Sequence, residues 1–306
     1  MQAALTRDDS IAGLVRRRNF ANTLAGGVMF AAAASSIAIT LGIVAMLTLE
    51  SLPFFREVSL WDFLTDTLWS PLFAAPRYGI LPLVTGTIMT TIIALLIALP
   101  LGTIIAVYLS EFAPHKAREI IKPATELLSA VPTIVFGYFA LQVITPALQT
   151  IMPELPTFNM LSAGIVMGIM IIPYVSSLSE DALRAVPMLL REGSYGMGAS
   201  RMQTAFKVVI PSAVSGLAAA YILAISRAIG ETMIVAVAAG MQPNLTFDPR
   251  EPAETITAYI VQVSLGDVEH GKVAYHSIFA AGATLFLMTL AFNIIGHRLR
   301  KKYRQG

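Results

Sequence analysis

Arg227 and Glu231 are two ionisable residues inside one long apolar segment, Ser212 to Gly240. A central arginine costs roughly 2.5 to 3.5 kcal/mol to insert into a bilayer, so we expect it to face a protein interior or an aqueous path. Its planar fork of donors suits an oxyanion, and Glu231 would orient that fork. We group Thr232 with these two as a candidate for contact with a translocated ion. The alternative is a self-neutralising pair, because i,i+4 spacing on a continuous helix places both charges on one face.

A second polar group begins another apolar segment. Glu126, Ser129 and Thr133 recur at i, i+3 and i+7, which would place them on one face of a helix. They are candidates for lining a polar path. Alternatively, such hydroxyl groups bond to their own helix or to a neighbouring one.

The sequence argues against several other kinds of chemistry. It contains no cysteine, and its four histidines are scattered without the spacing of metal ligands. No G-x-x-x-x-G-K-[ST] phosphate loop is present, so this chain is not itself an ATPase. No nucleophile and base are arranged on facing segments, and a net charge of +2 is too small to indicate nucleic-acid binding. We therefore expect no catalytic site, no metal site and no cofactor in this chain.

The composition is that of a polytopic membrane protein, with 56% hydrophobic residues, 13% charged residues and a mean hydropathy of +0.70. A helix needs about 20 apolar residues to cross the hydrocarbon core. Six segments are long enough, which predicts an all-α fold with six transmembrane helices. The segments are Thr23–Leu49, Ile80–Leu109, Leu127–Met152, Met160–Leu178, Ser212–Gly240 and Val273–Gly296.

Basic residues predict the orientation of these helices, because loops that stay in the cytoplasm are enriched in Lys and Arg. Sixteen basic residues lie on one side of the predicted spans and four on the other, with Arg227 left inside the membrane. Both termini are therefore expected in the cytoplasm. The expected organisation is an N-terminal segment, 1–22, a six-helix domain, 23–297, and a basic tail, 298–306. The apolar run after the N-terminal arginines is too long for a signal peptide and is expected to stay uncleaved.

The loops on the outer side carry further predictions. In LWDFLTDTLW, apolar residues recur at helical spacing, which predicts a short interfacial helix with Trp61 and Trp69 on one face. The loop Met241 to Lys272 holds five acidic residues and is expected to be a solvated cap. Gly164 and Gly168 have the G-x-x-x-G spacing that permits close approach of two helices.

The cytoplasmic loop 180–211 has its own helical pattern. Apolar residues recur along both of its halves, which predicts two short surface helices separated by a turn at Gly196 to Gly198. Ser200 is the expected N-cap of the second helix. The apolar stripe of that helix consists of Met202, Ala205, Phe206 and Val209.

This loop resembles the cytoplasmic loop of ABC importer permeases, whose pattern is E-A-A-x(3)-G-x(9)-I-x-L-P. The matching residues are Glu192, Gly193, Ser194, Gly198, Val208, Ile210 and Pro211. Glutamate, glycine and proline are kept, whereas glycine and serine replace the two alanines. Other stretches, including YGILPLVTGT, ELLSAVPTIVFGYFAL and RAIGETM, resemble the PstC-type permease of phosphate-specific ABC importers. The PstA-type partner permease shares several of these features.

The resemblance implies a type I ABC importer permease in a bacterial inner membrane. Such a subunit encloses half of a phosphate path with a PstA-type permease and receives phosphate from a PstS-type binding protein. A PstB-type ATPase dimer binds ATP and Mg. The resemblance assigns coupling to that ATPase to Glu192, Gly193, Ser194, Gly198, Met202, Phe206 and Pro211, and phosphate passage to the charged pair in RAIGET.

A self-sufficient anion carrier or channel is the rival hypothesis. Arg227 and Glu231 would then form an ion or proton relay. Carriers of this kind commonly contain inverted repeats with paired broken helices, and the sequence shows no such symmetry. The loop 180–211 would also have no role in a carrier.

Overall fold

The computed structural model describes residues 2–266, 269 and 271–303. The regular structure of these residues is helical, and two isolated bridges, Trp69–Tyr78 and Gly240–Ala253, supply the only β-type pairing within them. The prediction of an all-α fold is confirmed. The helices are α1 (Gln2–Glu57), α2 (Leu60–Thr65), α3 (Leu81–Val107), α4 (His115–Ser129), α5 (Thr133–Phe139), α6 (Thr145–Gln149), α7 (Met160–Arg184), α8 (Met188–Gly196), α9 (Arg201–Thr204), α10 (Ile210–Ile229), α11 (Met233–Ala238), α12 (Ile256–Leu265) and α13 (Val273–Tyr303). Wider π turns follow three of them: Tyr108–Phe112, Ala140–Ile144 and Ala205–Val209.

Five helical stretches are long and apolar enough to cross a membrane: Asn22–Glu57, Leu81–Phe112, Met160–Arg184, Arg201–Ile229 and Val273–Arg298. A sixth span is possible if His115–Ser129 and Thr133–Gln149 are counted together, although a bend of 89° separates them. The predicted number of six is reached in this way.

Two predicted spans are wrong in detail. The third was predicted as one helix from Leu127, but the chain turns between Ser129 and Thr133 because a residue before proline, here Val131, disfavours helical backbone angles. The fifth was predicted to run from Ser212 to Gly240. The helical stretch of this span instead begins earlier, at Arg201, and ends at Ile229. A separate short helix, α11, follows it.

Residues 1–50 form a unit of their own, which consists of α1 up to Glu50. The described side chains from Asn22 onwards in this unit are almost all exposed, and most are apolar. Such a surface needs lipid or protein to cover it. The arginines of the predicted segment 1–22, and the part of the basic tail after Arg298, lie outside the described side chains.

The remaining chain is organised around α3 and α7, which pack along most of their lengths. Glycines permit this contact. A Cβ added at Gly164 would lie 2.7 Å from Cβ of Ile93, and one at Gly102 would lie 2.7 Å from Cβ of Val175. A Cβ at Gly168 would lie 2.8 Å from the carbonyl oxygen of Ala94. The close approach predicted from the Gly164 to Gly168 spacing is therefore confirmed.

An aromatic cluster lies at the end of this unit where α3 begins, which the sequence predicts to be its outer end. Trp69 contacts Phe63, Tyr78 and Tyr259 edge to face, with ring centroids 4.9 to 6.3 Å apart. The predicted interfacial helix exists as α2, but it ends at Thr65. Trp69 is therefore in the core rather than on the helix face, whereas Trp61 is exposed.

The outer loop is not the solvated cap that its acidic residues suggested. It contains the apolar helix α12, whose first amide, that of Ile256, donates to Oγ1 of Thr87 over 3.1 Å. Just before it, Glu254 is 2% exposed, and its Oε1 has no hydrogen-bond partner within the described structure. Burial raises the pKa of the Glu254 carboxyl to about 8 from an ordinary value of 4.5.

Substituting Gly168→Ala tests the α3–α7 contact. The new methyl group meets a backbone oxygen that cannot rotate away, so we expect a loss of about 1 to 3 kcal/mol of stability from overpacking. Thermal unfolding of the purified protein measures it. The matched control is Gly42→Ala in α1, where no atom lies within 4 Å of the added Cβ. Equal melting temperatures for the two variants would contradict the close contact.

Substituting Glu254→Gln should stabilise the protein in a pH-dependent way. Between pH 4.5 and about pH 8 the folded carboxyl keeps its proton while the unfolded one loses it, so wild-type stability falls as pH rises through this window. The neutral amide avoids that loss. The advantage of the variant should be absent below pH 4.5 and reach on the order of 3 to 5 kcal/mol above pH 8. Thermal unfolding from pH 4 to 9 checks this, and an advantage that does not change with pH would contradict it.

Candidate translocation and coupling sites

Arg227 lies in the last turn of α10 and faces the middle of α7. Its Nη2 is 3.9 Å from Sδ of Met170, and its Cζ is 6.0 Å from the ring centroid of Tyr174. These two residues are the eleventh and fifteenth of the 25 residues of α7, so the guanidinium lies at about half the depth of that helix. The side chain is nevertheless exposed in the isolated chain. An arginine in this position can offer its donors to an anion.

The alternative hypothesis, in which Arg227 and Glu231 pair on one face of a continuous helix, is wrong. The helix ends at Ile229, and Gly230 to Thr232 form a turn before α11, so Glu231 is no longer one helical turn above the arginine. Among the described residues, no carboxylate lies within 4.0 Å of the Arg227 guanidinium. Within the described part of the chain, therefore, no carboxylate neutralises this positive charge by direct pairing.

Glu231 is buried at the start of α11 instead. Its Oε1 accepts the amide of Ile234 over 3.4 Å, and its backbone oxygen accepts the hydroxyl of Thr257 over 2.7 Å. A carboxylate beside the first amides of a helix is stabilised by unsatisfied donors there. Thr232 is the N-cap residue of α11, and its hydroxyl donates to the carbonyl of Gly230 over 3.3 Å. Arg227, Glu231 and Thr232 are therefore close in sequence, but their side chains lie in different environments.

Glu126, Ser129 and Thr133 do not share a helix face. The first two belong to α4, and Thr133 begins α5 after the bend of 89°. The hydroxyl of Ser129 donates to the carbonyl of Glu126 over 2.6 Å, which is the local bonding that was the alternative to path lining. Both α4 residues are exposed, and Thr133 is half-buried. The sequence spacing misled because it assumed one continuous helix.

The coupling segment, defined as residues 188–211, contains the two short helices that the pattern predicts. At the start of α9, Oγ of Ser200 accepts a hydrogen bond from the amide of Gln203, and Oε1 of Gln203 accepts one from the amide of Ser200. The predicted N-cap is therefore part of a full capping box. The hydroxyls of Ser194 and Thr204 lie 2.9 Å apart and join α8 to α9. Of the loop predicted from residue 180, the first five residues continue α7 and are not loop.

The apolar stripe of the coupling segment is divided between two surfaces. Ala205 and Val209 are fully buried, and Val209 belongs to a cluster with residues at the ends of α3, α7 and α10. Met202 and Phe206 are 63% and 55% exposed. Glu192, Gly193, Gly198 and Pro211 are also exposed, and Ser194 is half-buried. The residues predicted for coupling are therefore exposed, apart from half-buried Ser194, whereas Ala205 and Val209 of the same segment are buried.

The sequence analysis missed the ion pairs beneath this surface. Glu180 is completely buried, contacts Arg118, and lies 3.2 Å from Nζ of Lys122. Arg191, next to Glu192, bonds to Glu111. The sequence shows a basic segment after the second span and an acidic pair at the end of the fourth. Pairing these two segments would have predicted the contact of Glu180 with Arg118 and Lys122.

A comparison with protein families identifies the chain. Residues 98–305 match the model of the binding-protein-dependent transport system inner membrane component. The chain belongs to this family. It is a permease subunit of an ABC importer, and its fold is the type I importer permease fold.

Relatives of this permease cover most of its length. A probable ABC transporter permease, YqgH, of Bacillus subtilis is 34% identical over 86% of this chain and 84% of its own. The phosphate transport system permease PstC of Mesorhizobium japonicum is 35% identical over 75% of each chain, and a probable PstC of Methanocaldococcus jannaschii is 31% identical over 74% and 77%. The predicted resemblance to PstC-type permeases is confirmed.

Solved structures agree with the fold. A bacterial importer of the acidic polysaccharide alginate superposes with a TM-score of 0.64 at 16% identity, covering 90% of this permease and 95% of that chain. The methionine importer MetNI in an inward-facing conformation gives a TM-score of 0.55 at 18% identity, covering 74% and 94%. At these identities the comparison establishes architecture and says nothing about cargo.

Substitutions at Gly198 test the turn of the coupling segment. This residue has a φ of +84°, where a β-branched side chain is strained although no atom lies within 4 Å of an added Cβ. We expect Gly198→Val to lose about 1 to 2 kcal/mol locally and to weaken assembly with the ATPase subunit. Gly198→Asn is the matched control, because asparagine tolerates this backbone conformation. Co-purification of the ATPase measures the effect, and equal yields for both variants would contradict it.

Proposed function

We propose that this permease imports inorganic phosphate in an ATP-driven complex and forms half of the translocation path with a homologous PstA-type permease. The observation that carries the proposal is the exposed Arg227 guanidinium at half the depth of α7, without a carboxylate partner among the described residues. An intramembrane arginine in this state requires an anion or water to solvate it. Several relatives that are about one-third identical are named as phosphate transport permeases.

The residues around Arg227 suit a transient anion site. Met170 and Tyr174 support the guanidinium from one side with a thioether and a ring face, neither of which competes for its donors as a carboxylate would. A planar fork binds two oxygens of phosphate at once. Glu231 and Thr232 follow in the turn beyond α10, where they would contact the anion as it passes or position the arginine. The anion would be released when the complex shifts to a conformation that binds it less tightly.

The coupling segment, with Glu192, Gly193, Ser194, Gly198, Met202, Phe206 and Pro211, is proposed to dock on the ATPase. Exposed Met202 and Phe206 would supply an apolar contact, and buried Val209 would anchor the segment to the spans. A PstB-type ATPase dimer would bind ATP and Mg, and a PstS-type protein would deliver phosphate from outside. Because α9 continues through a π turn into α10, closure of the ATPase would tilt the helix that carries Arg227.

The proposed orientation places both termini in the cytoplasm of a bacterial cell, with the chain as a multi-pass protein of the inner membrane. The excess of basic residues on the side of the coupling segment supports it. Phosphate would then enter from the side of the aromatic cluster and α12. The family assignment supports the membrane location.

The test is uptake of labelled phosphate by liposomes that contain this permease, its partner permease, the ATPase and the binding protein. We expect uptake to need ATP and every partner and to resist competition by sulfate. Arg227→Ala should lower uptake about 10- to 100-fold, since a hydrogen bond to a charged group contributes roughly 1.5 to 3 kcal/mol. Arg227→Lys, which keeps the charge and loses the fork, should retain an intermediate rate.

Each alternative gives a different result in the same experiment. Uptake by this chain alone would establish the rival carrier or channel with Arg227 and Glu231 as its relay. Competition by sulfate would refute the phosphate assignment while leaving the importer intact. Full activity of Arg227→Ala in a normally assembled complex would show that the arginine takes no part in translocation.

A further inference from the structure

The Arg191 side chain makes an unusually complete set of bonds. Its Nη2 donates to Oε1 of Glu111 over 2.9 Å and its Nε donates to Oε2 over 3.3 Å, so two donors on one edge of the guanidinium bind both carboxylate oxygens. Nη2 also donates to the carbonyl of Leu183 over 2.9 Å, and Nη1 donates to the carbonyl of Val186 over 2.6 Å. One side chain of α8 thus contacts the inner ends of both α3 and α7.

This ion pair is buried, unlike the other charges of the coupling segment. The side chains of Arg191 and Glu111 are 10% and 5% exposed. Taking two charges out of water is costly, and replacement by apolar residues is often as stable, so the need for stability alone is a weak explanation of the pair. A bidentate pair does, however, define the position of two elements with respect to each other.

The partners of Arg191 lie where helices end or widen into a π turn. Glu111 lies in the π turn Tyr108–Phe112 that ends the second span, and Leu183 and Val186 flank the last residues of α7 before α8. π turns are rare and often occur at functional sites. A cavity of about 740 Å³, lined by residues including Ser110, Arg184 and Arg201, opens beside the pair. The contact therefore joins a potential hinge to the segment proposed to meet the ATPase.

The chain itself connects the coupling segment directly to α7 at one end and to α10 at the other. We propose that Arg191 is a positioning residue that fastens the coupling segment to the end of α3 through Glu111, so that movement of the segment drives α3 together with α7 and α10. This inference rests on the proposed function of the segment in ATP coupling. α3 packs along α7, and Tyr174 of α7 faces Arg227. The Arg191–Glu111 contact therefore links the coupling segment to both of these packed helices.

The first measurement is the coupling ratio, the phosphate imported per ATP hydrolysed, in the reconstituted complex. Arg191→Gln should assemble and hydrolyse ATP but lower this ratio at least about fivefold, the lower end of typical coupling energies between sites. Arg191→Lys should recover part of it. Arg184→Gln is the matched control, because Arg184 lines the same cavity, is half exposed, and has its Nη1 3.9 Å from Oε1 of Glu180 instead of bonding to Glu111. It should keep the wild-type ratio.

A second variant guards against misfolding. Arg191→Gln leaves the Glu111 carboxylate buried without its partner, which alone can disturb the fold. Glu111→Gln with Arg191→Gln removes both charges, so it should fold and still lose coupling to the same extent as Arg191→Gln. A double variant with a wild-type coupling ratio would overturn the proposal.

A distance measurement tests the fastening without any substrate. The chain has no cysteine, so His115→Cys and Met197→Cys, both strongly exposed, provide unique sites for spin labels at the end of the second span and in the coupling segment. We expect a narrow distance distribution that persists when nucleotide is added, and a broader one after Arg191→Gln. An unchanged distribution in that variant would overturn the proposal. Failure of the wild-type complex to import phosphate would refute the proposed cargo and leave this distance test valid.

Discussion

Close packing of α3 against α7 is the contact on which the other features depend. Glycines at positions 102, 164 and 168 bring the two backbones so near that a methyl group at any of them would lie within 3 Å of an atom of the other helix. Such an interface has little freedom to slide, because interiors are packed at crystal density. It makes α7 a fixed reference for the rest of the unit 51–306.

Each level of α7 then positions a different feature. At the outer end, the amides of Met160 and Leu161 donate to carbonyls of the outer loop at Glu251 and Pro249. In the middle, Met170 and Tyr174 face Arg227. At the inner end, Glu180 contacts the basic residues of α4, and the carbonyls near Leu183 accept Arg191. The translocation candidate and the coupling segment are therefore held by one helix at different depths.

The charges of the chain divide into two physical classes. At the inner end, Glu180 and Arg191 are buried and have partners of opposite charge on other helices, which position those helices. In the middle, Arg227 has a sulfur atom and an aromatic ring nearby instead of a carboxylate. An opposite charge weakens the field that a paired ion exerts at a distance, whereas an unpaired charge keeps its full field. This contrast supports the proposals that Arg227 takes part in transport and that the Arg191–Glu111 pair takes part in coupling.

Composition and local pattern were enough to predict the all-α fold, the apolar segments and the capped helix after Gly198, since these depend on residues close in sequence. The family was predicted from the resemblance of the loop motif and other stretches to known permeases. Only the tertiary structure decided which charges meet. Arg191 and Glu111 are 80 residues apart in the chain, and Glu180 is 62 residues from Arg118. The spacing of Arg227 and Glu231 predicted a pair that the turn at Gly230 prevents, and Glu254 looked solvated until the packing of α3 and α12 buried it. Periodicity describes one helix at a time, whereas burial and ion pairing depend on where the helices break and which helices they contact.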